Sequence, residues 1–437
     1  MARHHWPAVI SSLVVGAGLL VAAVHLRDPR LLALRGTATS GVVLFGVAGA
    51  LVCLWMWRRR GWRGGLVPGL ALLWAAGPAL AIHGELLFAQ QVRAVLGSGA
   101  AGQEVGRHFL VGYTDARAVA SLAARGLIGG VFVTTRNLEG RSAEALRTEI
   151  ADLQAIRREA GLPPLFVATD QEGGAVSRLS PPLPTLPPLG ALADLPAVGR
   201  EAAAQARGAS EGAGLAAFGV NVNFAPVLDL RVPGLQVGRH LQSPIAERAI
   251  SDDPRIVGAI GLAYARGLAE AGVTATLKHF PGLGRATADT HVATAPIAAT
   301  REELEASDLM PFRHVLGGTE AWLMLGHATV MALDPERPAS LSARVVTGLL
   351  RQEWGFDGIV VTDDMNMAPI LAAGLCGAGI AALNAGVDVL LLSWDPDGYY
   401  RAMSCVLEAR RRGTLDPTLL AESRRRLERA VARPQGH

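Results

Sequence analysis

Residues 273–291 read VTATLKHFPGLGRATADTH. The first six form a short, largely apolar run that closes on the charged pair Lys278-His279, and a Gly- and Pro-containing loop follows. Immediately upstream, residues 253–271 form an Ala- and Leu-rich stretch of helical length. A helix-sized segment feeding a short apolar strand is the repeating unit of parallel α/β sheets.

The same unit recurs outward from this stretch in both directions. Candidate strands lie at 108–113, 130–134, 165–169, 220–224, 273–278, 322–326, 359–362 and 387–392. Helix-like segments at 142–159, 198–218, 253–271, 341–354 and 399–412 lie between and after them. Eight strands, each followed by a helix-sized segment over about 330 residues, predict a (β/α)8 TIM barrel, an α/β fold. The Pro-rich stretch 180–190 (SPPLPTLPPLG) reads as a rigid loop after the third strand, because the alternation resumes beyond it.

In such a barrel the C-terminal strand ends converge on one face, where sites form. Asp170-Gln171-Glu172-Gly173-Gly174 follows the third strand, and Asn223 to Asp229 ends the fourth. Lys278-His279 ends the fifth, His327 follows the sixth, and Asp363-Asp364 closes the seventh. Each alone is ordinary turn chemistry. Five together point to a site, since packing requires none of them. Composition singles out one member: of 41 basic residues, 40 are Arg and only Lys278 is Lys. Arg is a planar fork and Lys a compact point charge, so this position, expected at a water-accessible strand end, reads as one that cannot take the fork. In an extended loop, residues i and i+2 point the same way. Asp289 can then hold one nitrogen of His291 and leave the other for proton transfer. Spacing alone leaves open that both are exposed loop side chains. The Asp363-Asp364 pair supplies a candidate carboxylate nucleophile.

The net charge of +3 is unevenly spread, because residues 1–95 hold nine Arg and two acids and the remainder balances at −4. That excludes a nucleic-acid-binding main domain, which would show a basic face. Three cysteines in 437 residues exclude a disulfide scaffold, and Cys376 and Cys405 lack metal-ligand spacing. Residues 6–26, 36–57 and 64–84 carry no Lys or Arg, and runs of 21, 22 and 21 residues are each long enough to cross a bilayer. The expected organisation is therefore a membrane anchor of three transmembrane helices at 1–95, a linker at 96–106 and a barrel at 107–434. The loop holding Arg58, Arg59, Arg60 and Arg63 is the densest basic cluster and is expected to stay cytoplasmic. The third helix then exits and places the main domain outside the cytoplasm.

Four motifs carry a resemblance. Residues 167–179 (VATDQEGGAVSRL), 221–230 (NVNFAPVLDL), 278–291 (KHFPGLGRATADTH) and 355–367 (GFDGIVVTDDMNM) resemble glycoside hydrolase family 3. The branch they are most similar to is the single-domain bacterial β-N-acetylglucosaminidases (β-hexosaminidases) of peptidoglycan turnover. The resemblance implies removal of terminal β-linked N-acetylglucosamine, with retention, through a covalent glycosyl-enzyme. It implies Asp363 as nucleophile, with Asp364 its neighbour, and His291 as acid/base assisted by Asp289, in place of the second carboxylate of the usual retaining pair. Sugar-binding positions transfer to Asp170, Arg178, Arg248, Lys278 and His279. Leu283 departs from the family pattern, standing where His is usual, and Thr290 replaces Ser.

No cofactor or metal is expected. The expected partners are a carbohydrate substrate and a membrane, not nucleic acid. Two other readings fit the same residues: a phosphorylase, since a His acid/base does not repel phosphate, and an inactive membrane-anchored sugar sensor.

Overall fold

The computed structural model describes residues 6–60, 66–232, 245–288 and 296–432. The chain forms two compact units, Met1–Ala94 and Val95–His437.

The first unit is helical, with helices Trp6–His25, Arg35–Arg60 and Leu66–Leu96. Gly46 and Gly49 let the second and third approach closely: a Cβ at Gly49 would overlap the Trp74 ring, and one at Gly46 would overlap Pro78. Small residues at helix contacts are how apolar helices pack without a hydrophobic driving force. Trp74 Nε1 donates to Ser12 Oγ at 2.8 Å, which satisfies a polar tip among apolar neighbours. Phe45, Leu44, Leu51 and Leu72 face outward. Two stretches are long and apolar enough to cross a membrane, Leu32–Arg58 and Val67–Leu96, whereas Val9–His25 is shorter. Of the three expected spans, the second and third helices are therefore candidates by length and composition among the described residues.

The second unit is built on an eight-stranded sheet. Its strands are β1 Phe109–Gly112, β2 Gly130–Phe132, β3 Phe166–Thr169, β4 Val222–Asn223, β5 Thr274–Phe280, β6 Trp322–Leu325, β7 Val360–Thr362 and β8 Leu390–Leu392. All eight arise where the apolar runs place them. Every ladder in this sheet is parallel, β1 pairing with both β2 and β8. A parallel bridge between Val361 and Val389 brings the two edges together, so the sheet is nearly closed. Helices Ala143–Glu159 and Pro254–Glu270 connect strands of the sheet, and Pro396–Arg412 follows the last one. Ser142, Asp253 and Asp395 start them by accepting from backbone N–H groups of the first turn. Gly99–Gly106, expected as linker, is instead a helix with Val105 and Gly106 buried.

Strand side chains alternate between two cores. Phe109, Val111, Leu323, Leu325, Val360, Leu390 and Leu392 pack outward under the helices. Leu110, Phe132, Phe166, Ala168, Phe224, Trp322, Met324, Val361 and Leu391 fill the interior. This is the layered interior of a barrel rather than a pore. The two-residue period also decides the site. Two residues beyond the interior positions Ala168, Val361 and Leu391 stand Asp170, Asp363 and Ser393, at the C-terminal mouth. Lys278 follows Thr276 in the same way, because Ala275 and Leu277 belong to the outer core.

At the opposite end, helix Pro417–Ala432 places Leu427 in the interior core. Buried Asp388, at the start of β8, takes Arg426 Nε at 2.9 Å, Arg351 Nη2 at 2.6 Å and the Val360 N–H at 2.8 Å. It ties β7 to β8 where the sheet closes.

Candidate active site

Lys278 Nζ lies 2.6 Å from Asp170 Oδ1 and 2.5 Å from Glu172 Oε1. Glu172 in turn receives Arg248 in a bidentate pair, Nε at 2.9 Å and Nη2 at 2.7 Å. Two carboxylates and two cations therefore form a balanced quartet at the mouth, the arrangement that lets charge be buried. Burial alone would push the Glu172 carboxyl up, but Arg248 and Lys278 outweigh it and hold it at about 2. Burial disfavours the Arg248 cation, yet Glu172 leaves its pKa raised. Lys278 is only 2% exposed. The water-open strand end expected for it is therefore a packed, ion-paired one. A compact ammonium fits between two carboxylates there, which accounts for the one lysine of the chain.

Glu172 sits on the antiparallel hairpin of Gln171–Gly173 and Val176–Ser177. Arg178 leaves that hairpin with its backbone N–H on Asp170 O at 2.9 Å, and its side chain is half-buried. Arg248 ends the short helix Ile245–Arg248.

The second cluster joins β4, β5 and β7. Asp229 is fully buried and accepts from the Leu283 N–H at 2.7 Å and the His279 N–H at 3.2 Å. Its other oxygen is 2.7 Å from His279 Nδ1. An ionised carboxylate only accepts, so Nδ1 carries a proton and Nε2 is turned the other way. His279 Nε2 then stands 4.0 Å from Asp363 Oδ2. Gly326 makes room, because a Cβ there would meet Leu283 at 3.1 Å and His279 Cβ at 3.3 Å. Leu283, which stands where the resemblance has His as the usual residue, places its side chain against Gly326 and uses its backbone N–H to hold Asp229.

The adjacent carboxylates differ in surroundings. Asp363 takes the Asp364 N–H on Oδ1 at 2.8 Å, and its own N–H donates to Leu325 O at 2.9 Å. Asp364 is bound by Ser393 Oγ at 2.5 Å and by the Asn366 and Ser393 N–H groups at 3.0 and 3.2 Å. Desolvation pushes the Asp364 carboxyl up against those hydrogen bonds, and the charge of Asp363 adds to the rise. Its carbonyl accepts from His327 Nε2 at 3.0 Å, while His327 Nδ1 meets Ser340 Oγ at 2.7 Å. Asp364 is thus held by the fold, and Asp363 is the member turned toward His279.

The structure brings Asp170, Lys278, His279, Arg248 and Asp363 to one mouth, with Arg178 beside them. Asp289, Thr290 and His291 lie outside the described residues. Sequence reasoning gave no role to Glu172 or Asp229, although both stood inside quoted motifs. Among the described residues, no cluster of three or more His, Cys, Asp or Glu side chains forms a metal-binding set.

Residues 92–430 match the family described as Glycosyl hydrolase family 3 N terminal domain. The chain belongs to glycosyl hydrolase family 3. Its relatives include a beta-hexosaminidase of Xylella fastidiosa, 39% identical over 271 residues, which are 61% of this chain and 76% of that protein. Another, from Alkalilimnicola ehrlichii, is 38% identical over 277 residues, 62% of this chain and 75% of that one. Among solved structures, a family 3 beta-N-acetylglucosaminidase from Paenibacillus sp. FPU-7 superposes with a TM-score of 0.69 at 32% identity, over 77% of this chain and 64% of its own. A beta-N-acetylhexosaminidase from Beutenbergia cavernae gives 0.68 at 30% identity, over 76% of this chain and 99% of its own.

Proposed function

We propose that this family 3 chain is a retaining exo-β-N-acetylglucosaminidase that removes terminal β-linked N-acetylglucosamine from peptidoglycan-derived glycans. The observation that carries the reading is the Asp363 carboxylate, held at the barrel mouth 4.0 Å from His279 and beside the Asp170–Lys278–Glu172–Arg248 quartet. The names of the relatives point the same way. In this mechanism Asp363 attacks the anomeric carbon while the glycosidic oxygen takes a proton from His291, oriented by Asp289. Water, deprotonated by His291, then releases the sugar and frees Asp363. Asp170, Arg178 and His279 present charged and polar groups to the sugar hydroxyls. Lys278 and Arg248 set the position and charge of the two acidic side chains.

The (β/α)8 reading of the sheet is supported by the Val361–Val389 bridge. We read residues 1–95 as a membrane anchor in which Trp6–His25, with 20 residues, is the third span. The side reached by the catalytic unit depends only on the basic cluster Arg58, Arg59, Arg60 and Arg63, which begins at the end of the second helix, and on the crossing of Val67–Leu96. It is therefore extracytoplasmic with two spans or with three. The disulfide between Cys376 and Cys405, joining helices Leu375–Asn384 and Pro396–Arg412, supports this side, since such bonds persist in oxidising compartments. A phosphatase reporter fused after Gln91 should be active. A silent phosphatase with an active cytoplasmic reporter would reverse the orientation.

The reaction is tested by following a chromogenic β-N-acetylglucosaminide in water and in phosphate buffer. β-N-acetylglucosamine as first product in both supports retaining hydrolysis. Sugar 1-phosphate formed in phosphate would make the chain a phosphorylase, and no turnover would make it a sugar sensor.

A further inference from the structure

The exposed large side chains of the second unit are few. Among its described residues Trp394 is the one exposed aromatic, at 51%. A half-exposed indole on the C-terminal rim, the face where such folds bind their ligands, offers an apolar ring surface to whatever enters the mouth. Trp394 follows Ser393, directly beyond β8.

Its placement is built. Arg136, in the turn Thr135–Asn137 after β2, lies over the indole with its guanidinium carbon 4.8 Å from the ring centroid. The same guanidinium donates to Trp394 O at 2.9 Å and to Ser393 O at 2.6 Å. Ser393 is also the residue that grips Asp364, next in sequence to Asp363. One continuous set of contacts therefore runs from the carboxylate pair through Ser393 to the Trp394 backbone and the Arg136 side chain. A cation stacked on a rim indole restrains its orientation, so that the ring presents its other face in a fixed direction.

We propose that Trp394, held by Arg136, is the platform on which the leaving-group sugar of the substrate stacks. The quartet and His279 lie on the β3–β5 arc, where the terminal sugar is recognised. Trp394 lies across the mouth beside the Asp363-Asp364 turn, where the bond to be cut leads outward. The apolar face of a pyranose ring matches an indole, so the ligand class is a β-linked oligosaccharide rather than a simple glycoside. This inference rests on the glycosidase reading above and adds the acceptor side to it.

The test compares two substrates on the full chain: chitobiose, whose leaving group is a sugar, and N-acetyl-β-glucosaminyl fluoride, whose leaving group is one atom. Trp394→Ala should lower the chitobiose-to-fluoride ratio of kcat/KM about tenfold, the rate equivalent of one aromatic contact. The loss should appear mainly in KM, and Trp394→Phe should restore most of the ratio. A ratio unchanged in Trp394→Ala, with both rates kept or both lowered together, overturns the platform. Failure of the wild-type chain to hydrolyse either compound overturns the glycosidase reading instead.

Discussion

His279 is pinned between two aspartates: Nδ1 lies 2.7 Å from Asp229 and Nε2 lies 4.0 Å from Asp363. Asp229 belongs to the loop after β4 and Asp363 to the turn after β7, so one imidazole couples opposite arcs of the barrel. The buried aspartate sets the tautomer, as an orienting carboxylate does for any working histidine. Asp229→Asn keeps the shape but offers an amide donor where the ring N–H needs an acceptor. We expect kcat/KM to fall by about two orders of magnitude, the low end of what a positioned polar group contributes. Steady-state kinetics beside a melting curve checks this, since loss of stability without loss of kcat/KM would make Asp229 purely structural.

Glu172 gives a pH signature. Its carboxyl is held at about 2 in the folded chain against an ordinary value of 4.5. A depressed carboxylate stabilises the fold above its unfolded pKa, and that contribution disappears as pH falls through the folded one. The melting temperature of the second unit should therefore drop between about pH 4.5 and pH 2. Glu172→Gln should weaken this dependence. It should also cost about 3–5 kcal/mol at neutral pH, because Arg248 and Lys278 would face a neutral amide. Calorimetry across the pH range decides it.

Lys278→Arg is harmless by composition, in a chain that uses Arg for every other cation, but not by geometry. The guanidinium must fit a space 2% exposed, between Asp170 and Glu172. Overpacking should cost about 1–3 kcal/mol of stability. Displacing Asp170 should cost a further 2–4 kcal/mol or so in transition-state binding. Near-wild-type melting and kcat/KM together would show that the site accepts the fork.

Much of the site was legible because strands alternate. Once 165–169 and 359–362 are read as interior strands, Asp170 and Asp363 fall on the inward side at the mouth without further information. Lys278 declared itself by composition. What stayed hidden depends on long-range pairing. Glu172 meets Arg248 across 76 positions, and Asp229 meets His279 across 50, which no local spacing reveals. Arg136 and Trp394 are 258 residues apart and gave no motif. Cys376 and Cys405, 29 positions apart, read only as lacking metal-ligand spacing, and no spacing rule reveals the bond between them. The 96–106 segment read as linker because it is Gly- and Ala-rich, yet Gly102 and Gly106 are small because Leu127 and its neighbours pack directly on them.

The central claim is that Asp363 forms the bond to the sugar. Asp363→Asn should lose at least ~10³ in turnover, as expected when a covalent nucleophile is removed. The most direct measurement is mass spectrometry of the wild-type chain after inactivation by a 2-deoxy-2-fluoro-β-glycosyl fluoride. The account predicts one glycosyl adduct, on the peptide carrying Asp363 and localised to that carboxylate. An adduct on Asp364, or on no carboxylate of this turn while the enzyme is inactivated, would contradict it.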